Sequence, residues 1–513
     1  MAVPTGAERT PTPKLLQNRI PARWAFFSTA VLSLLVMSLW LRAKAPASGE
    51  PVRTAVRPNS MAILPFINAS PDSADDYLGP GVAAELTRVL GRLPGLRVAD
   101  RLSAFAAPRD RDPQATGRRL NVGTMLQGSV RRSGERLRVT ARLVDVDEGF
   151  DLWSETYERL PDEIFAVQDD IRSAVAATLR LAGVADSTAA PERPTTSLAA
   201  YDAYLAGRYL LDQRIPGAAP RAIDYLTRAV RLDTSFALAN AALAEAYLRR
   251  GDIEALAPLV AAPQAKQAAL RALELDSTLA EAHVTLGTVR FGYDRDWNRA
   301  ETEFRRAISL EPTSPGAYAQ YSRYLLAMGR IDDSRAASES ALRLSPVSPL
   351  MMQHLAWHYL HARQYDRARE ALWRAIEMDS TAWRPQFDLA AVELVAGNLP
   401  EAEARLRIPL EVAPERAEVQ VALGQVYAGS GRTEEAKAIL QRLRQAGERR
   451  YVSPYLIACL QASLGMKAQA LAQLERSVRE RSDLAVYLRI DPRVDSLRTD
   501  RRFGRLLRQL RLP

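Results

Sequence analysis

Three of the four histidines, His354, His358 and His361, recur at spacings of four and three. On a helix that spacing places them on one face, where imidazoles could in principle meet a metal. The glutamate that follows the first histidine of a His-Glu-x-x-His zinc helix is missing, and Trp357, Tyr359 and Tyr365 surround the run with aromatic surface. Histidines on a groove-facing stripe are therefore favoured over a zinc site, and no metal is expected. The fourth histidine, His283, stands alone.

Other chemistry-bearing patterns are weaker. Asp169 and Asp170 are adjacent, so on a helix their side chains diverge by roughly 100° and cannot flank one bond. Gly79-Pro80-Gly81-Val82-Ala83-Ala84 superficially fits a dinucleotide fingerprint, which needs its glycine turn immediately after a strand. Here Asp72, Asp75 and Asp76 precede it and would repel a pyrophosphate, so a helix start with Pro80 in its first turn is preferred. No Walker A sequence, kinase signature or Gly-x-Ser-x-Gly elbow occurs. No catalytic residue and no cofactor is assigned.

What remains is recognition. Tyr318, Tyr321, Arg323 and Tyr324 cluster within seven residues and, with His354, His358 and His361, are the candidate groove-binding residues. Aromatic and arginine side chains are the usual anchors of a docked segment. Packing of the tyrosines between helices is the equal alternative.

The elements that position them follow from a comb. Ala300, Ser334, Ala368, Ala402, Ala436 and Ala470 lie 34 residues apart. Ser322, Ala356, Ala390, Gly424 and Ala458 form a second row, and Phe304, Ser338, Leu372, Leu406, Leu440 and Leu474 a third. A period of 34 in small and apolar residues marks a helical solenoid, which stacks helix pairs and leaves a long concave surface for partners.

Composition sets the bounds. A chain of 513 residues exceeds one core. The net charge of +9 comes from 69 basic against 60 acidic residues, only five of them lysine, and the arginines are spread over helix faces. That distribution argues against a nucleic-acid partner. Cys459 is the only cysteine, which excludes an intrachain disulfide and a thiolate metal site.

Trp24 to Leu41 is 18 residues without a charge, bracketed by Trp24 and Trp40, close to the minimum that spans a bilayer core. A basic stub precedes it, so the expectation is a single transmembrane helix (23–41) with residues 1–22 as a disordered cytoplasmic stub and the bulk of the chain periplasmic. Ala45-Pro46-Ala47 keeps a cleaved signal peptide open as the rival. Residues 42–59 are a proline-bearing linker.

Over 60–183 the pattern predicts a compact α+β domain. Met61–Ile67 is a short apolar strand, Gly81–Leu93 a helix, and Leu96–Ala99 a second strand. Alternation over Thr124–Val130 and Leu137–Leu143 gives a hairpin, a strand starts at Phe150, and a helix covers Glu163–Leu181. MAILPF, GPGVAAEL, PGLRV, GTMLQGSVRRSGERLRVTARLVD and FDLWSETYER…IFAVQDDI together resemble the TolB amino-terminal-like module, to which no catalytic site is ascribed. In bacterial chains that module commonly precedes tetratricopeptide repeats.

After a linker at 184–197, about eight such repeats are expected over 198–480. They resemble the tetratricopeptide repeat through Leu286-Gly287 and Leu423-Gly424, the turn glycines Gly329, Gly397, Gly431 and Gly465, and the closing prolines Pro312, Pro346 and Pro414. Thr234, Ser277 and Ser380, each after an aspartate, are expected to cap helices. Pro409 should kink its helix. The tail (481–513) is basic and amphipathic and suits a solvating cap.

The expected fold is thus an α+β small domain followed by an all-α tetratricopeptide-repeat superhelix, with one N-terminal transmembrane helix. The expected function is a membrane scaffold or adaptor for a protein or peptide partner. The alternative is a sensory or regulatory component working with a separate cyclase, kinase or transcription regulator, because such module–repeat arrays are also fused to those effectors.

Overall fold

The computed structural model describes residues 59–106, 112–134, 136–160, 163–181, 193–213, 217–253 and 256–512. The Trp24–Leu41 segment lies outside them, as does most of the 184–197 linker. Among the described residues no helix is long and apolar enough to cross a membrane.

The sheet region begins with β1 (Ser60–Ile63), which Leu64-Pro65-Phe66 separates from the two-residue β2 (Ile67–Asn68). Pro65 removes a backbone donor, so the run predicted over Met61–Ile67 divides in two. Helix α1 (Leu78–Leu90), β3 (Arg97–Val98), α2 (Arg101–Ala106) and α3 (Pro113–Leu120) follow. Then come β4 (Thr124–Ser133), β5 (Arg136–Asp145), β6 (Asp151–Arg159) and α4 (Ile164–Thr178). The strand order is β3-β1-β4-β5-β6, with β2 pairing β4 off that path. β1 lies parallel to β3 and β4, whereas β4, β5 and β6 form an antiparallel meander with Val130 opposite Val139 and Val139 opposite Tyr157. Gly128 is required by packing: a Cβ there would collide with the Thr140 carbonyl and the Phe66 ring.

Eight helix pairs make up most of the remaining described residues. They are α5 (Leu198–Gln213) with α6 (Ala218–Leu232), α7 (Ala237–Ile253) with α8 (Pro258–Leu275), and α9 (Ala280–Val289) with α10 (Trp297–Leu310). Next are α11 (Pro315–Ala327) with α12 (Ile331–Leu344), and α13 (Pro349–His361) with α14 (Tyr365–Met378). In the sixth pair α15 (Trp383–Val395) packs on a second helix split into α16 (Leu399–Arg405) and α17 (Arg407–Val412). The last two are α18 (Ala417–Gly429) with α19 (Thr433–Ala446), and α20 (Pro454–Ser463) with α21 (Lys467–Arg479). A closing helix, α22 (Arg501–Leu510), ends the chain. The architecture is a mostly helical repeat superhelix with a small N-terminal sheet region.

The comb is the packing seam. All six small residues from Ala300 to Ala470 are fully buried, because a side chain no larger than serine lets the second helix approach the first closely. Each regular pair turns on a left-handed residue: Gly329, Gly397, Gly431 and Gly465 have φ between +73° and +84°. Arg295 and Arg363 stand in the same row, at +58° and +61°, a conformation that costs a non-glycine residue about 1 kcal/mol. The split at Leu406 follows from Pro409, which has no N–H for the Arg405 carbonyl; the Leu406 amide is shared between the Ala402 and Glu403 carbonyls, both at 3.2 Å. The expected caps differ. Asp233, Asp276 and Asp379 themselves accept the amides of Ser235, Thr278 and Thr381, forming Asx turns in place of caps by Thr234, Ser277 and Ser380.

The sheet region and the first repeats share one hydrophobic core running from Met61 to Leu286. Gly81 abuts Leu205 of α5, and Gly79 lies under the Phe66 carbonyl, so both glycines of the nucleotide-like motif are explained by close packing. Tyr77 Oη donates to Asp202 at 2.6 Å, and Gln168 Nε2 to Tyr201 Oη at 2.9 Å. Ser345, in the turn between the fourth and fifth pairs, meets Ser103 at 2.5 Å and donates to Asp100 at 3.1 Å.

Candidate functional site

First helices of successive pairs line the inner face of a repeat stack, and residues 34 apart on them form rows. Arg323 on α11 and Trp357 on α13 occupy one such row. The Arg323 guanidinium lies 5.5 Å from the Trp357 ring. Between α9 and α10 the chain winds into a π-turn, Arg290–Asp294, which presents Phe291 to the same aromatic cluster.

This face is occupied by the chain itself. After α21 the backbone makes two 3-10 turns, Asp483–Tyr487 and Pro492–Leu497, before α22. Arg323 Nε donates to Tyr487 Oη at 3.1 Å, and its guanidinium sits 5.6 Å from the Tyr487 ring. Trp357, Phe291 and His361 surround that ring at 5.6, 6.0 and 6.0 Å. Arg481 Nη1 donates to the Tyr293 carbonyl at 2.7 Å, and Arg363 clasps Asp495. The segment is two-sided. Val486 and Tyr487 belong to the aromatic cluster of the third to fifth pairs, whereas Ala485, Leu488, Val494 and Leu497 belong to the core of the last repeat. The tail expected only to cap the last repeat does so through α22, and its preceding segment also spans the inner face.

A buried carboxylate fixes that segment. Asp491, 1% exposed, accepts from Tyr455 Oη at 3.0 Å and from Arg493 Nη2 at 2.7 Å. Burial alone would raise its pKa, but the Arg493 charge and hydrogen bonds outweigh it and hold the group down at about 2.

The expected site residues separate into three sets. Arg323 and His361 converge on Tyr487, with His354, half-buried, on the same helix as His361. Tyr321 and Tyr324 stack at 6.1 Å and both donate to Glu301 of α10, at 2.9 and 3.4 Å, so they pack between helices. Tyr318 packs with Ala341 and Met351, and His358 is buried with Nδ1 2.9 Å from Ser334 Oγ. His361 Nδ1 donates to the Trp357 carbonyl at 2.9 Å. The two imidazoles thus address different partners, and among the described residues no three His, Cys, Asp or Glu side chains gather as a metal would require. Burial pushes both His358 and His361 down to about 4. Cys459 is fully buried and its thiol is pushed up to about 12 by that burial.

Trp357, Phe291 and Tyr487 complete the site without having been assigned to it from sequence. Trp357 could have been found by its row, 34 residues after Arg323. Its indole Nε1–H is buried and has no hydrogen-bond partner among the described residues.

Comparison with known proteins bears on the repeats. Residues 417–443, within α18 and α19, match the tetratricopeptide repeat family. The chain is 33% identical over 207 residues to a putative adenylate cyclase 3 of Rhizobium meliloti, covering 39% of this chain and 35% of that one. It is 24% identical over 164 residues to anaphase-promoting complex subunit 3 of Schizosaccharomyces pombe, covering 32% and 24%. The chain therefore spans little more than a third, at most, of the length of these relatives. Among solved structures, Pseudomonas aeruginosa PilF aligns with 18% identity and a TM-score of 0.32, covering 42% of this chain and 92% of that one. The seventh helix pair matches the tetratricopeptide repeat family, and the other pairs repeat its helix-pair architecture.

Proposed function

We propose that this chain is a non-catalytic, membrane-anchored scaffold or adaptor that binds a protein or peptide partner through the first-helix face of its repeats. One observation carries the reading: that face holds a stretch of polypeptide, Asp483–Ile490, by an arginine, a tryptophan and a π-turn aromatic. The polar groups nearby support a binding role over a catalytic one, since His358 and His361 are committed to Ser334 and the Trp357 carbonyl. Many arginines pair with carboxylates along their own helices, as Arg374 does with Glu370 and Arg405 with Glu401, which leaves them little suited to nucleic acid.

Anchoring rests on the Trp24–Leu41 segment, with the remainder in the periplasm, and residues 60–183 are read as a TolB amino-terminal-like module. A reporter fused after residue 60 tests the topology. The partner is tested by placing a photocrosslinker at position 354, on the first-helix face, or at Val412, exposed on a second helix. The same protein captured from 354 and not from 412 supports the reading; equal capture from both, or capture from neither, overturns it.

A second reading is a regulatory component acting with a separate cyclase, kinase or transcription regulator. The 33% identity over 207 residues to the putative adenylate cyclase favours it. It predicts that the partner captured from position 354 is such an effector.

A further inference from the structure

We propose that Asp483–Arg498 is an internal ligand standing in the place of a partner segment, and that this partner segment carries a tyrosine together with a carboxylate. The inference rests on the adaptor reading above and gives that partner its chemistry. Three observations carry it.

First, the contacts are those of a docked peptide. Arg323 Nε donates to the Tyr487 hydroxyl at 3.1 Å, the ring lies edge-on to Trp357 and Phe291, and Arg363 holds the Asp495 carboxylate through two nitrogens at 2.7 and 2.9 Å. The face thus reads one phenol and one carboxylate with two guanidiniums, a charge-complementary pairing that hydrogen-bonds in fixed geometry.

Second, the fit is incomplete. The Trp357 indole N–H beside Tyr487 is shielded from solvent and meets no hydrogen-bond acceptor among the described residues. An unsatisfied buried donor weakens the self-complex relative to any segment that supplies an acceptor there. A partner with a carbonyl or carboxylate at that point gains a hydrogen bond that the tethered segment lacks, which offsets part of the tether's effective-concentration advantage.

Third, the segment has two faces. Asp491, Val494 and Leu497 are anchored in the last repeat, while Val486 and Tyr487 are inserted among Phe291, Tyr324 and Trp357. Separation of the third-to-fifth pairs from the tail therefore vacates the Arg323–Trp357 pocket without dismantling the C-terminal cap.

The test uses the full chain and a fluorescently labelled synthetic peptide of residues 483–498. Tyr487→Ala, which empties the pocket, is expected to bind the peptide at least tenfold more tightly than the parent chain. Adding Arg323→Glu should remove that gain. Asp495→Ala, which deletes only a half-exposed ion-pair partner, should also increase peptide binding, and it carries the test if Tyr487→Ala does not fold. Peptide binding that is absent from the folded variants, or equal in parent and variants and indifferent to Arg323→Glu, overturns the proposal. Peptide binding without any protein captured from position 354 would sink the adaptor reading and leave the pocket standing. Capture from 354 without peptide binding would do the reverse.

Discussion

Arg363 and Asp495 face each other across 132 residues of chain, with Arg363 Nη2 donating to Asp495 Oδ1 at 2.9 Å. Arg363 stands in a row otherwise held by Gly329, Gly397, Gly431 and Gly465, and it adopts their left-handed conformation at φ +61°. The turn would be built more cheaply with glycine. An arginine that accepts this strain and spends its guanidinium on the C-terminal segment ties the inner face of the fifth repeat to the end of the solenoid.

Comparing two variants separates strain from pairing. Arg363→Ala keeps the left-handed residue and loses the ion pair; Arg363→Gly loses both. Relief of the strain is worth about 1 kcal/mol, and a half-exposed pair contributes about 0–1 kcal/mol. Arg363→Gly should therefore be the more stable of the two by about 1 kcal/mol. Urea unfolding of both variants decides it. An Arg363→Ala variant as stable as Arg363→Gly would mean the turn carries no strain.

Tyr487 is 3% exposed and stands in an aromatic cluster drawn from three repeats. Truncation to alanine removes a large buried ring, at about 3–5 kcal/mol. Tyr487→Phe keeps the ring and loses only the bond from Arg323, so about 1–2 kcal/mol is expected. Denaturant midpoints of the two variants should rank in that order. Equal losses would place the energy in the hydrogen bond instead of the ring.

Asp491 is the buried anchor of the same segment, enclosed with Tyr455 and paired with the partly exposed Arg493. Asp491→Asn leaves the largely buried Arg493 charge without its counterion, which costs up to about 3–5 kcal/mol. Asp495→Asn touches only half-exposed pairs with Arg363 and Arg498 and should cost less than about 1 kcal/mol. Thermal unfolding of the pair at neutral pH checks the contrast. A small loss at Asp491 would show that water replaces the missing charge.

The comb made the repeat architecture legible, because steric demand at a helix seam admits only small residues and repeats wherever the seam does. It also carried more about the site than the clustering of tyrosines suggested. Tyr318, Tyr321, Tyr324 and His358 occupy rows that face neighbouring helices, whereas the Arg323 and Trp357 row faces inward. Ranking by row separates them; ranking by residue type does not. The role of the tail was not legible. A basic amphipathic stretch has the same pattern whether its apolar side meets the last repeat or reaches back to the third. Which occurs depends on superhelical pitch, a sum of small rotations that no local periodicity encodes. The short helices α2 and α3 escaped notice because six to eight residues are too few to establish a period.

The two inner histidines make stability depend on acid. Burial holds His358 at about 4, with the nearby charges of Arg335 and His361 acting in the same direction against Asp332. Burial likewise holds His361 at about 4, opposed by Asp491 and the Trp357 carbonyl and reinforced by Arg493 and Arg323. In the unfolded chain each imidazole titrates near about 6.5. Between these values the unfolded chain takes up protons that the folded chain refuses. Stability is therefore full above pH 6.5 and falls as the pH drops toward 4. The loss approaches about 3 kcal/mol for each imidazole, and the two titrate as a pair because they are neighbours. Urea midpoints at pH 7.5, 6 and 5 should fall steeply for the parent chain. They should fall less steeply for a His358→Asn/His361→Asn variant, whatever its starting stability. Parallel slopes would assign the acid sensitivity to the carboxylates shared by both proteins.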